Sequence, residues 1–243
     1  STFVGLDQSI YQQSSLLRKH LKICDSACNS LGVGSIFPHI FQRSSLHDLT
    51  KLHCLLFSLQ YSCVQAWTDC GVVPTAMVGH SFGELTALCA SGSLSLQDCL
   101  KAIIGRAKVI ESSWGTDTGA MMAVEGDLSQ VEELLRQSNL LGNSDQSANI
   151  ACFNGLRQFT VAGSQDAIDA ITKVLSTCPE FSNLRTKRLN VTHAYHSVLT
   201  APMMDAVEQA AEDVSFAQPQ IQLERTTESH STLTLTPRFF ADH

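Results

Sequence analysis

The chain has 243 residues, 44% of them apolar and 16% charged, with a formal net charge of −7. That balance supports a well-cored globular protein, one sizeable domain with room for a smaller inserted subdomain, and excludes a disordered chain. No basic cluster marks a nucleic-acid surface, no run approaches the roughly 20 apolar residues of a membrane span, and no signal peptide opens the chain, so a cytoplasmic protein is expected.

The first predicted element is an amphipathic helix over residues 14–31. Leu17, Leu21, Cys24, Cys28 and Leu31 recur at three- and four-residue spacings before a glycine stop at Gly32. Cys24 and Cys28 are four apart, but no second pair with zinc-site spacing accompanies them, so no metal is expected. With nine cysteines in all, several in apolar helical runs (Cys54, Cys63, Cys89, Cys99), reduced core thiols are the reading. Residues 49–70 repeat the helical pattern through Leu52, Leu55, Leu56, Leu59, Cys63, Ala66 and Trp67, closed by Gly71.

Next comes the short strand Thr75-Ala76-Met77-Val78, then Gly79-His80-Ser81-Phe82-Gly83, then a helix to about Ser91. A strand, a tight tip and a helix, with serine at the tip, form a nucleophile elbow. Both glycines are expected where a Cβ would collide. The start of the following helix aims amide N–H groups at an oxyanion developing beside Ser81. Ser95-Leu96-Gln97-Asp98 reads as a capping box for a further helix through Glu111, with Leu100, Ile103, Ile104, Ala107 and Ile110 inward.

The rhythm changes after Trp114-Gly115. A strand (120–124), a helix (129–137), a hairpin of Ala148–Phe153 and Gln158–Ala162 turning at Asn154-Gly155, a helix (165–176) and a strand (184–191) follow. The order β-α-β-β-α-β is that of a ferredoxin-like unit. The sequon Asn190-Val191-Thr192 is read as part of the last strand. A helix through Met203, Met204, Ala206 and Val207 and a Pro-, Thr- and Ser-containing tail complete the chain. Its first residues, Ser1-Thr2-Phe3, and last, Phe240-Ala241-Asp242-His243, read as cut from a longer polypeptide.

A serine becomes nucleophilic near neutral pH when a base takes its proton, and imidazole is the usual base. His193-Ala194-Tyr195-His196-Ser197, far downstream of the elbow, supplies candidates, and together they point to acyl transfer.

Gly79-His80-Ser81-Phe82-Gly83-Glu84, Gly105-Arg106 and His193-Ala194-Tyr195-His196-Ser197 resemble the acyltransferase domain of polyketide and fatty-acid synthases, the malonyl-CoA:acyl-carrier-protein transacylase family. Met121–Val124, Ala151–Gly155 and Gln158–Gly163 are similar to that family's inserted subdomain, and the stretch from Trp114 to Gly126 looks most like fungal iterative polyketide synthases. The resemblance implies an α/β fold. A hydrolase-like parallel-sheet core (1–117 and 192–243) would be interrupted by a ferredoxin-like subdomain (118–191) forming one wall of a cleft over Ser81. It implies Ser81 as the acylated nucleophile, His196 as its base and Phe82 N–H as an oxyanion donor. His193, Tyr195, His80 and Asn154 would lie around the acyl group. Arg106 would hold the malonyl carboxylate through the guanidinium's two parallel hydrogen bonds. The implied partners are malonyl-CoA, the phosphopantetheine arm of an acyl carrier protein and neighbouring synthase domains, with no metal, redox cofactor, nucleic acid or membrane.

Two departures from the family pattern stand out. The family opens with a Gly-x-Gly-Gln-like segment carrying the other half of the oxyanion hole, and Ser1 corresponds to a position just after it; His53 stands where relatives commonly carry glutamine. Two other functions compete. A serine esterase or thioesterase calls for an acid between serine and histidine and a His-Gly-Gly-type motif, and neither is visible. An inactive structural module of a megasynthase is the second.

Overall fold

The computed structural model describes residues 2–141, 147–226 and 235–242. The Ser/Thr-rich part of the tail, 227–234, and His243 lie outside the described residues. The elements are α1 (Gln8–Gln13), α2 (Ser15–Ser30), α3 (Leu49–Asp69), β1 (Ala76–Val78), α4 (Phe82–Ala90), α5 (Leu96–Ser113), β2 (Ala120–Glu125), α6 (Leu128–Asn139), β3 (Asn149–Gly155), β4 (Gln158–Gly163), α7 (Gln165–Thr177), β5 (Arg185–Arg188), α8 (Met204–Gln209), β6 (Gln222–Glu224) and α9 (Arg238–Asp242). No helix among the described residues is long and apolar enough to cross a membrane.

The chain divides into two compact units, one of residues 2–111 with 205–242 and one of residues 112–204. The second is wider than the 118–191 of the sequence reading, because Trp114 and the segment around His193 pack within it.

In the first unit, β1 and β6 pair in parallel, Met77 opposite Leu223, and helices supply most of the core. Local chemistry explains where those helices start. Ser14 accepts from Leu17 N at the head of α2 and Asp48 accepts from Lys51 N (2.7 Å) at the head of α3. A side-chain cap of this kind contributes about 1 kcal/mol. The forward bond of the capping box read from the sequence forms, Asp98 N donating to Ser95 Oγ (3.0 Å), and the two side chains also meet, Ser95 Oγ donating to Asp98 Oδ2 (2.8 Å). The inward residues of α5 (Leu100, Ile103, Ile104, Ala107, Ile110) are all buried. Phe57, Leu21, Leu52, Leu85 and Leu88 are also buried. Each such side chain removed from water is worth roughly 1.5–3 kcal/mol. Trp67 departs from the pattern: it lies in the last turn of α3 and is 66% exposed.

In the second unit the strand order is β3-β4-β2-β5, every pair antiparallel. By order along this unit that is 2-3-1-4, the ferredoxin-like arrangement the sequence order implied. Alternation sends Met122, Val124, Phe159 and Val161 to one face, where Val131, Leu134, Ile168, Ile171 and Val174 of α6 and α7 cover them.

Two details differ from the sequence reading. The hairpin turns at Leu156-Arg157, since Gly155 pairs with Gln158 and Asn154 is the extra residue of a β-bulge opposite Phe159. Contacts from outside the hairpin hold the turn there: Arg157 ion-pairs with Asp127, and Arg157 O accepts from Gly126 N (3.0 Å). The last strand stops at Arg188, where its partner β2 nears its own start, so Asn190-Val191-Thr192 lies beyond it.

Candidate active site

The elbow is set by steric necessity at one glycine. A Cβ on Gly79 would run into the carbonyl of Gly83 and the amide of Glu84, so no other residue fits that position. A Cβ on Gly83 would meet nothing within 4 Å. The second glycine of the motif is therefore not required by collision, contrary to the expectation for both.

Between them the backbone of Ser81 is held at φ 49°, ψ −130°. An L-residue with a side chain pays for that conformation, on the order of 1–3 kcal/mol, and keeps it only where the surroundings impose it. Ser81 occupies the N-cap position of α4, yet its hydroxyl does not cap the helix. Phe82 is the first residue of α4, so its N–H has no acceptor within the helix. His80 is exposed at the tip.

Beneath the elbow, the buried ring of His53 lies 5.2 Å from the Phe82 ring, tilted by 48°. Histidine here meets the first turn of α4 with an aromatic face. Thr86 Oγ1 donates to Gln60 Oε1 (2.6 Å) and ties α4 to α3. The buried Glu84 carboxylate accepts from Arg225 Nε at 3.1 Å, and Thr226 Oγ1 donates to Gly79 O at 3.4 Å. Arg106 is half-buried on α5, beside the fully buried Ala107.

The other candidates belong to the second unit. His196 is held at φ 59°, and among the described residues Ser81 and His196 are the two non-glycine positions with positive φ. The His196 carbonyl accepts from Asn149 Nδ2 (3.1 Å). Ser197 then closes the turn, donating to Ala194 O (2.6 Å) and accepting from Leu199 N at the head of a 3-10 turn over Val198–Met203. His193 and Tyr195 come together with Trp114, with the three ring centroids 4.6, 5.6 and 5.7 Å apart pairwise.

Asn154 is placed elsewhere. It lies at the end of β3 opposite to Asn149, donates Nδ2 to Thr160 Oγ1 (3.0 Å) and lines an open groove of about 280 Å³ with Ala123, Gln158, Arg185 and Lys187. Neither His193, Tyr195 nor His196 borders that groove. Among the described residues, no group of three or more His, Cys, Asp or Glu side chains could hold a metal ion.

Residues 3–243 match the family model described as "Acyl transferase domain". The chain belongs to the acyl transferase domain family. Non-reducing polyketide synthase pigA of Monascus ruber is 53% identical to it over 243 residues, and sor2 of Hypocrea jecorina (strain QM6a) is 52% identical; each match spans 100% of this chain and 9% of the relative. The citrinin polyketide synthase of Monascus purpureus is 47% identical over the same share of both chains. The chain thus spans about a tenth of the length of these fungal relatives. Among solved structures, FabD from Acinetobacter baumannii superimposes with a TM-score of 0.76 at 27% identity, covering 92% of this chain and 68% of that one. The acyltransferase domain from the second module of the salinomycin polyketide synthase gives 0.82 at 22% identity over 98% of this chain and 53% of that one, a likeness of fold.

Trp114, Asn149 and Arg225 escape sequence reasoning. Each acts on a residue tens of positions away. Trp114 lies at the head of the Trp114–Gly126 stretch that carried part of the family resemblance, just before the change of rhythm at Gly115, but nothing there pointed to His193 or Tyr195.

Proposed function

We propose that this acyl transferase domain loads malonyl units from malonyl-CoA onto the phosphopantetheine thiol of an acyl carrier protein within a polyketide synthase. The observation that carries the reading is the pair of strained backbones. The residues matching the family's nucleophile and base, Ser81 and His196, are the two non-glycine positions with positive φ among the described residues. Strain of this kind collects where a side chain is aimed for chemistry.

In this reading Ser81 Oγ attacks the thioester carbon while His196 takes its proton. The carbonyl oxygen gains negative charge against Phe82 N–H, at the start of α4 where the helix dipole favours it. The C–S bond then breaks, His196 protonates the departing coenzyme A thiolate, and malonyl stays on Ser81 as an ester. The carrier thiol enters by the reverse sequence, giving a ping-pong cycle. One thioester replaces another, so the steps are nearly balanced in energy, and the harder task is excluding water from the acyl-serine.

Arg106 supports the choice of a dicarboxylic acyl group, because a guanidinium pairs with a free carboxylate through two parallel bonds. Tyr195 supports malonyl over its branched homologue, since a bulky ring beside the acyl α-carbon leaves no room for a methyl. One methyl is worth about 1–3 kcal/mol, a preference of roughly tenfold to a few hundredfold.

The test is labelled malonyl-CoA with the full-length protein, following the label by peptide mass spectrometry. Label on Ser81 that passes to the carrier's phosphopantetheine is the expected result. Release as free malonate without transfer makes the protein a hydrolase, and no label at all makes it a non-catalytic module.

A further inference from the structure

We propose that Trp114 is a positioning residue that sets acyl selectivity by fixing the His193 and Tyr195 rings; this rests on the acyl-loading role argued above. The three rings form a closed cluster in which every pair is in contact. Trp114 lies 4.6 Å from His193 at 55° and 5.6 Å from Tyr195 edge-on at 74°, and His193 lies 5.7 Å from Tyr195. Trp114 is 8% exposed, whereas the two rings it braces are only half-buried. The indole is thus the buried side of the cluster and the other two are its accessible side. The Tyr195 hydroxyl is tethered at its far end to Thr192 Oγ1 (3.3 Å), so rotation of that ring is opposed from both ends.

The indole is itself held. Its Nε1 donates to Asp117 O (3.2 Å), and the Asp117 carboxylate accepts from Gly119 N (2.8 Å) and from Gln165 N (3.3 Å) at the first residue of α7. Thr118 O accepts from Ala194 N (2.8 Å), the residue between the two braced rings. At Gly119, φ is +68° and a Cβ would come within 2.6 Å of Ala194 Cβ and 2.5 Å of Gly163 O, so residues 114–119 lie directly against the histidine segment. The short stretch 114–119 therefore acts as a template. It is anchored on α7 by the Gln165 N hydrogen bond to Asp117 and presents a rigid aromatic face to His193 and Tyr195. Aromatic rings in edge and tilted contact hold each other's orientation more narrowly than an aliphatic side chain of similar volume does.

The consequence is that acyl choice depends on a residue that itself touches no substrate. Replacing Trp114 by Leu keeps the site apolar but removes the aromatic ring along with part of the volume, while Trp114→Phe keeps one aromatic ring and loses the rest of the indole with its N–H to Asp117 O. In the full-length protein, kcat/KM for Ser81 acylation is measured with malonyl-CoA and methylmalonyl-CoA for the unmodified chain and both variants, with thermal unfolding as a control. The expected result is a malonyl preference reduced at least fivefold in Trp114→Leu, carried by KM, and kept within about twofold in Trp114→Phe. A purely structural role would lower both substrates in proportion. An unchanged ratio in Trp114→Leu, or the same change in both variants, overturns the proposal while the acyl-loading reading stands. Failure of the unmodified protein to acylate Ser81 with either substrate overturns both.

Discussion

Arg225 Nε donates to Glu84 Oε1 at 3.1 Å, joining the segment after β6 to the first turn of α4, one turn below the elbow serine. The Glu84 side chain is 4% exposed and that of Arg225 21%, and the guanidinium also stacks 4.8 Å over the Phe239 ring. Removing the cation leaves a carboxylate in a dry site. Losing one partner of such a pair costs about 3 kcal/mol or more, so Arg225→Ala is expected to lower Tm by roughly 6–12 °C. Circular-dichroism melts check this. A melt within a degree or two of the unmodified protein would show that the pair does not hold the elbow.

The two elbow glycines should differ sharply. Gly79→Ala forces a Cβ into the backbone of Gly83 and Glu84 and is expected to unfold the elbow or abolish soluble expression. Gly83→Ala meets no atom within 4 Å and, as an alanine inside a helix, should stabilise slightly, by about 0.5–1 kcal/mol. Equilibrium denaturation of both variants measures the contrast.

For the chemistry, Ser81→Ala should abolish covalent loading while leaving the melt intact, because the side chain sits at a turn tip and does not cap its helix. His196→Ala should slow acylation by about 100-fold or more through loss of the base. Intact-protein mass spectrometry after mixing with malonyl-CoA reads both. A larger loss in His193→Ala than in His196→Ala would reverse their proposed roles.

Arg106→Ala should shift preference from malonyl-CoA toward acetyl-CoA. The malonyl carboxylate would be left without its partner, at a cost of a few kcal/mol, while the acetyl group carries no charge to satisfy. The ratio of the two kcat/KM values is the measurement, and an unchanged ratio rules out the carboxylate clamp.

Cysteine reactivity should sort by burial. Burial pushes the Cys24 thiol up to about 12 and the Cys99 thiol well above its ordinary value, and Cys54 is raised by its hydrogen bond with Cys28 together with burial. The thiolate is the nucleophile, so a raised pKa leaves these groups protonated and inert at pH 8. Cys70, exposed at the end of α3, should be alkylated first. Cys24, Cys54 and Cys99 should react only in denaturant, as peptide mapping after a timed iodoacetamide pulse would show.

Much of this protein is local and so can be read from its sequence. The 3.6-residue spacing of Leu100, Ile103, Ile104, Ala107 and Ile110 determines a buried face for α5. The Ser95–Asp98 box determines where that helix begins, because the groups involved lie within one turn of each other. The strand–serine–helix elbow is local in the same way. Tertiary structure alone decided the features that depend on residues distant in sequence. Asn154-Gly155 has the composition of a hairpin turn, yet contacts of Arg157 with Gly126 and Asp127 move the turn two residues on and leave Asn154 in a bulge. Trp67 completes an apolar stripe, yet in the last turn of α3 it is 66% exposed. Trp114 reaches His193 across 79 positions, and Asn149 reaches the His196 carbonyl across 47. A short-range pattern records which residues want to be buried or capped. Which ring meets which ring, and which backbone is bent to positive φ, is settled only when the chain packs against itself.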